Sequence, residues 1–143
     1  MRHGYTLFEL LTVLLVMAVL LAIAVPPAAH WRDAAAVRGA RDELAGRLAW
    51  TRLAATSHGG AALVLDIPAA AYRIELGDGV TAHRGDLGRG YGVVIETSAS
   101  RDSLVLRYDA LGVGRTTGGT LQVRRGRAAA GLTVSPYGRY RRW

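Results

Sequence analysis

Glu9 is the only charged residue between Gly4 and Pro26, and every other residue of that run except Thr6 and Thr12 is apolar or aromatic. A charged side chain in the middle of a bilayer helix costs about 2.5 to 3.5 kcal/mol on insertion scales, so such a group calls for a cationic partner and a role. A second cluster lies at the other end. Arg124, Arg125, Arg127, Arg139, Arg141 and Arg142 share residues 124–143 with no acid and are interleaved with Tyr137, Tyr140 and Trp143. Guanidinium groups engage phosphates and aromatic rings stack on bases, so this composition suits a nucleic acid. An extended backbone through Gly138–Trp143 puts Arg139 and Arg141 on one face. The same residues also describe a charged edge strand that resists aggregation.

Other chemistry is not suggested. His3, His30, His58 and His83 have no spacing that pairs two on one helix or strand face, so no metal site is expected. There is no Gly-x-Ser-x-Gly elbow, no phosphate-loop pattern and no dinucleotide-binding glycine fingerprint. The chain reads as a non-enzyme with no cofactor and no small-molecule substrate. It has no cysteine, so a small core must hold by packing alone. All 18 basic residues besides histidine are arginine, and the net charge of +7 arises entirely within residues 101–143. That asymmetry fits a polyanion or an acidic protein surface.

Three kinds of element must position these groups. Residues 5–25 form an apolar run that reaches roughly 30 Å as a helix, enough for a bilayer core. Arg2 ahead of it places the leader in the cytoplasm and the rest of the chain outside. Pro26-Pro27 should bend or interrupt the helix. A helical pattern resumes over residues 28–57, with Val37, Ala40, Leu44, Leu48, Thr51 and Ala55 in one stripe and Glu43 paired with Arg47. Trp50 and Leu53 lie off that stripe, on a second core surface or a face for a neighbouring subunit. After Gly60 the period changes to two, predicting strands over 61–67, 71–76, 91–97, 103–108, 120–124 and 132–135, with a mobile loop over 77–90.

Gly4-Tyr5-Thr6-Leu7-Phe8-Glu9-Leu10-Leu11 resembles the prepilin signature of type IV pilins and type II secretion pseudopilins. The resemblance implies cleavage by a prepilin peptidase between Gly4 and Tyr5, methylation of the new Tyr5 amine, and an assembly role for Glu9. Tyr5 departs from the phenylalanine more usual there. An ordinary secretory signal, cut after Ala22-Ile23-Ala24, is the rival, but its apolar region would be shorter and would carry no early glutamate. Tyr108-Asp109-Ala110-Leu111-Gly112, Gly119–Val123 and residues 132–141 look like the closing strands of the GspH/FimT group of minor pseudopilins.

That resemblance implies an α+β, type IV pilin-like fold. Residues 1–4 would be the leader, 5–27 a transmembrane helix, 28–58 its periplasmic continuation, and 59–143 an antiparallel β-sandwich-like head with a basic end. The implied protein is a single-pass inner-membrane subunit whose partners are other pseudopilins or pilins, the prepilin peptidase and membrane lipid. Its implied function is to initiate or tip a type II secretion pseudopilus for protein export. The alternative is a FimT-like minor pilin that binds DNA during uptake, a role for which its Gly-Arg-x-Arg ending speaks.

Replacing Gly4 by a bulky residue should leave the leader attached, while the natural chain begins at methylated Tyr5. Intact mass of membrane-extracted protein checks this, and a chain beginning at Val25 would mean ordinary secretion instead.

Overall fold

The computed structural model describes residues 6–98, 101–116 and 118–143, without the side chains of residues 24–28. Its first element, α1, is a helix over Leu7–Ser57. Helical backbone continues through Pro26-Pro27, so the expected interruption does not occur. Two adjacent prolines remove only two backbone donors, and the hydrogen bonds on either side keep the helical path.

The chain divides into two compact units, Met1–Arg32 and Asp33–Trp143. In the described part of the first, every large apolar side chain from Leu7 to Ile23 is exposed. Among the described residues no helix is long and apolar enough to cross a membrane. Within the apolar run the described side chains end at Ile23, and the sequence continues it with Ala24 and Val25.

In the second unit, the predicted stripe of Val37, Ala40, Leu44, Leu48, Thr51 and Ala55 is buried throughout, with Ala45 and Ala54 beside it. Burying one leucine side chain such as Leu44 contributes about 1.5 to 3 kcal/mol. Thr51 satisfies its hydroxyl locally by donating to the Arg47 carbonyl at 2.7 Å. The helix ends where His58-Gly59-Gly60 was expected to stop it, and Gly59 adopts a positive φ of 70°.

Among the described residues eight strands follow: β1 (Gly60–Asp66), β2 (Ala71–Leu76), β3 (Thr81–Asp86), β4 (Val94–Thr97), β5 (Ser103–Asp109), β6 (Gly119–Arg125), β7 (Ala128–Val134) and β8 (Tyr140–Arg142). A short helix, α2 (Leu87–Tyr91), separates β3 from β4 and is N-capped by the Asp86 carboxylate. They form two four-stranded antiparallel sheets, ordered β3-β2-β1-β5 and β4-β6-β7-β8. Because β4 joins the second sheet before β5 returns to the first, neither sheet is a contiguous stretch of chain. One apolar core is shared by α1 and both sheets, with Leu63, Leu65, Ile74, Leu106, Leu121 and Leu132 at its centre.

Residues 77–90, expected to be a mobile loop, contain β3 and most of α2. No apolar periodicity marks β3, because its side chains are only half-buried or exposed and it is held by pairing with β2. The last predicted strand, 132–135, begins at Ala128 instead, where alanines replace the β-branched residues that signal a strand.

A second join ties the sheets together. The Tyr108 hydroxyl at the end of β5 donates to the Gly138 carbonyl at 3.2 Å, and the Gly114 amide donates to the Tyr137 carbonyl at 3.2 Å. A Cβ at Gly138 would lie 2.4 Å from the Tyr108 ring, so the approach requires glycine there, and its φ of 77° favours glycine as well.

The Glu43 carboxylate fastens α1 to the first sheet and α2. One oxygen accepts from Tyr72 at 2.7 Å and the other from Tyr91 at 3.0 Å, while Arg47 donates to the Tyr72 hydroxyl at 2.8 Å. Burial, then the Glu43 hydrogen bond and charge, push the Tyr72 hydroxyl up from 10.0 to about 12, against the pull of Arg47. A raised phenol pKa means that its stabilising contribution is complete below pH 10 and is lost as pH climbs through 12. Tyr72→Phe should lose about 1 to 3 kcal/mol at neutral pH, because a half-buried carboxylate oxygen loses a donor. Denaturation of both forms across the alkaline range should show their difference shrinking above pH 10, and tyrosinate absorbance should lose its latest-titrating component in the variant.

Candidate functional site

At the N-terminal end, Thr6 precedes the first helical residue and its hydroxyl accepts the Glu9 amide at 3.2 Å. Thr6-Leu7-Phe8-Glu9 is therefore a capping sequence, with a carboxylate in the first turn where the helix dipole favours it. Sequence reading singled out Glu9 for its charge and overlooked this second role, although the Thr-x-x-Glu spacing displays it. Glu9 is exposed and makes no ion pair among the described residues. The expected cleavage and methylation site, Gly4 and Tyr5, lies outside the described residues.

The basic end is divided by its partners. Arg124 reaches across the outer face of the second sheet to Glu96 at 3.0 Å. Arg125 pairs with Asp33 of α1 at 2.9 Å and also donates to the Tyr91 carbonyl. Arg142 pairs with Asp42 of α1 at 3.4 Å. These three arginines do structural work on elements of their own chain. Arg127, Arg139 and Arg141 are exposed and make no ion pair among the described residues. The acids that divide the set, Asp33, Asp42 and Glu96, are remote in sequence, so charge counting within residues 124–143 did not reveal them.

Hairpin register arranges the aromatic residues. Thr133 lies opposite Arg141 and Val134 opposite Tyr140, and the Ser135 amide donates to the Arg139 carbonyl at 2.8 Å. The ladder thus continues to Arg139, which keeps Arg139 and Arg141 in the alternation expected of an extended segment. Tyr137 stands at the turn, 74% exposed. Past β8, Trp143 exchanges both backbone hydrogen bonds with Gly131, and its indole Nε1 donates to the Thr133 hydroxyl at 3.2 Å. The ring lies where a Cβ on Gly131 would be, 2.1 Å from the nearest ring atom, so glycine is what admits it. Trp143 is consequently pinned along one edge and open on the rest, at 52% exposed.

Asp109 organises the loop between β5 and β6. Its carboxylate accepts the Leu111 and Val113 amides at 3.0 and 2.9 Å and pairs with Arg115 at 3.1 Å. The Val113 hydrogen bond foremost, with Arg115 and Leu111, outweighs desolvation and holds the carboxyl below its usual range. Among the described residues no group of three His, Asp or Glu side chains could hold a metal ion.

No family model matches the sequence, and no curated protein does either. The fold is similar to the crystal structure of the type IV minor pilin FimU of Pseudomonas aeruginosa, with a TM-score of 0.56 and 19% identity. The similarity covers 74% of this chain and 91% of that one. The chain has a type IV pilin-like fold.

Gly131→Ala should displace the Trp143 indole from the sheet without disturbing the core beneath. The expected readout is redder indole emission and stability lowered by about 1 kcal/mol, the scale of a lost hydrogen bond. Trp50 and Trp31 also emit, so the Trp143→Phe variant supplies the baseline.

Proposed function

We propose that this chain is a minor pilin-like subunit, held in a bacterial inner membrane by the first part of α1 with its head in the periplasm, that enters a filament. Its role is structural, not catalytic. The observation that carries the reading is the pairing of a pilin-like head with a helix whose first turns are apolar on every side except at Glu9 and Thr12. A helix exposed and apolar all round has no place in water, and lipid or a bundle of like helices are the surroundings that suit it. Within that setting Glu9 needs a cation, and the amine released by cleavage before Tyr5 on a neighbouring subunit is the cation that assembly would bring. The prepilin peptidase is then the enzyme that acts on this chain.

Of the two kinds of filament, we favour a type II secretion pseudopilus, with the chain a GspH/FimT-type subunit that starts or tips it. Three of the six C-terminal arginines are committed to acids of their own chain, which weakens the argument from bare charge for a nucleic-acid partner. The alternative, a FimT-like pilin capturing DNA, rests on Arg127, Arg139 and Arg141, which remain free of ion pairs among the described residues.

Glu9→Gln keeps a side chain competent for the capping box and removes the charge, whereas Glu9→Ala removes both. If Glu9 serves assembly, both variants should insert stably in the membrane, and both should be depleted from filaments to a similar extent. A Gln variant that assembles normally while the Ala variant fails would reduce Glu9 to a helix cap.

A further inference from the structure

We propose that the junction of the last turns of α1, the β5–β6 loop and the β7–β8 turn is a docking surface for an acidic segment of another protein that also carries apolar side chains. The inference does not depend on which filament, if any, the chain enters.

A groove of about 520 Å³ is lined there by Arg52, Val113, Ser135, Tyr137 and Arg139. Its two arginines come from different elements, one from α1 and one from the hairpin turn, and neither makes an ion pair among the described residues. Arg52 is held in place by its stem. The β5–β6 loop lies against it, so that a Cβ at Gly112 would touch Arg52 Cγ at 3.4 Å and Thr56 Cγ2 at 3.3 Å. Its charge reaches the buried Tyr108 hydroxyl, where burial raises the pKa and Arg52 opposes the rise. The backbone of the hairpin turn is also fixed, because the Arg139 amide donates to the Ser135 hydroxyl and the Tyr137 carbonyl accepts from Gly114. Two unneutralised guanidinium groups on rigid supports are a receptor for an anion.

The surroundings select the kind of anion. Tyr137 and Val113 form part of the groove's lining, while Leu53, next to Arg52 in the sequence, is 68% exposed and Leu111, next to Gly112 of the loop, is 82% exposed. Leucine side chains offer nothing to a phosphodiester backbone, while a mixture of arginine, tyrosine and aliphatic groups is the composition of protein interfaces. A second copy of this chain is a poor occupant, since each copy carries +7 and two such molecules repel. The surface therefore fits carboxylates spaced among apolar residues on a different protein.

The test uses the full chain in nanodiscs of zwitterionic lipid and three probes of equal charge. These are a short peptide alternating Glu with Leu, one alternating Glu with Ser, and a single-stranded DNA oligonucleotide. The Glu-Leu peptide should bind tightest. Arg52→Gln and Arg139→Gln should each weaken it about fivefold to tenfold, the scale of a charge contact in an interface. Leu111→Ser should weaken the Glu-Leu peptide and leave the Glu-Ser peptide unchanged, and Arg84→Gln, on β3 of the other sheet, should change neither. All four positions are exposed, so folding is not expected to suffer. Failure of the Glu-Leu peptide to bind, or binding indifferent to Arg52→Gln, overturns the proposal. Tighter binding of the oligonucleotide, sensitive to the arginines and not to Leu111→Ser, overturns it in favour of a nucleic-acid site.

Discussion

One helix has to satisfy two unlike surroundings, and the rest of the structure follows from how α1 does so. From Leu7 to Ile23 it is apolar on every side, with Glu9 and Thr12 as the exceptions, and its large apolar side chains are exposed. From Val37 onward it narrows to a buried stripe of small and aliphatic residues, and that stripe closes the core of both sheets. Around the stripe, polar groups fix the helix in register. Glu43 engages two tyrosines, and Asp33 and Asp42 engage Arg125 and Arg142. Of these, Asp42 is the one that reaches the β7–β8 hairpin, where Arg41 of α1 also donates to the Trp143 carbonyl at 3.3 Å and the apolar side of β7 packs in the shared core.

These contacts give the C-terminal arginines a division of labour. Pairs such as Arg124 with Glu96 are exposed and contribute about 0.2 to 1 kcal/mol each. Their greater effect is to neutralise half of the basic cluster where it meets the fold. What remains is concentrated at the hairpin turn and beyond, where Arg139 faces the groove shared with Arg52 and Arg141 follows on the strand. Excess positive charge is thus displayed beside exposed leucine and tyrosine side chains, and that association carries the reading of a protein partner.

Much of this was legible in the sequence. The stripe on α1 was, because burial against a core imposes a period of 3.6 that side-chain chemistry reveals directly. The stop at His58-Gly59-Gly60 was, and so were the strands with alternating aliphatic residues. Illegible were β3, which takes its shape from hydrogen bonds to β2 and buries little, and the first half of β7, whose alanines carry no strand preference. Trp50 and Leu53 were open between a second core surface and an outward face, and their exposure settles that they face outward. The site was legible in part. Glu9 and the basic end announced themselves by composition, whereas Arg52 did not, because only the fold brings a helix residue to a turn more than eighty positions away.

The central claim is that this chain is a filament subunit present in small amounts. The most direct measurement is quantitative mass spectrometry of purified filaments sheared from cells that make the untagged chain at its natural level, alongside the inner-membrane fraction. The account predicts the chain in the filament fraction, at a small fraction of the major subunit and largely lost when the prepilin peptidase is absent. A chain abundant in the membrane or periplasm yet missing from the filaments would contradict it.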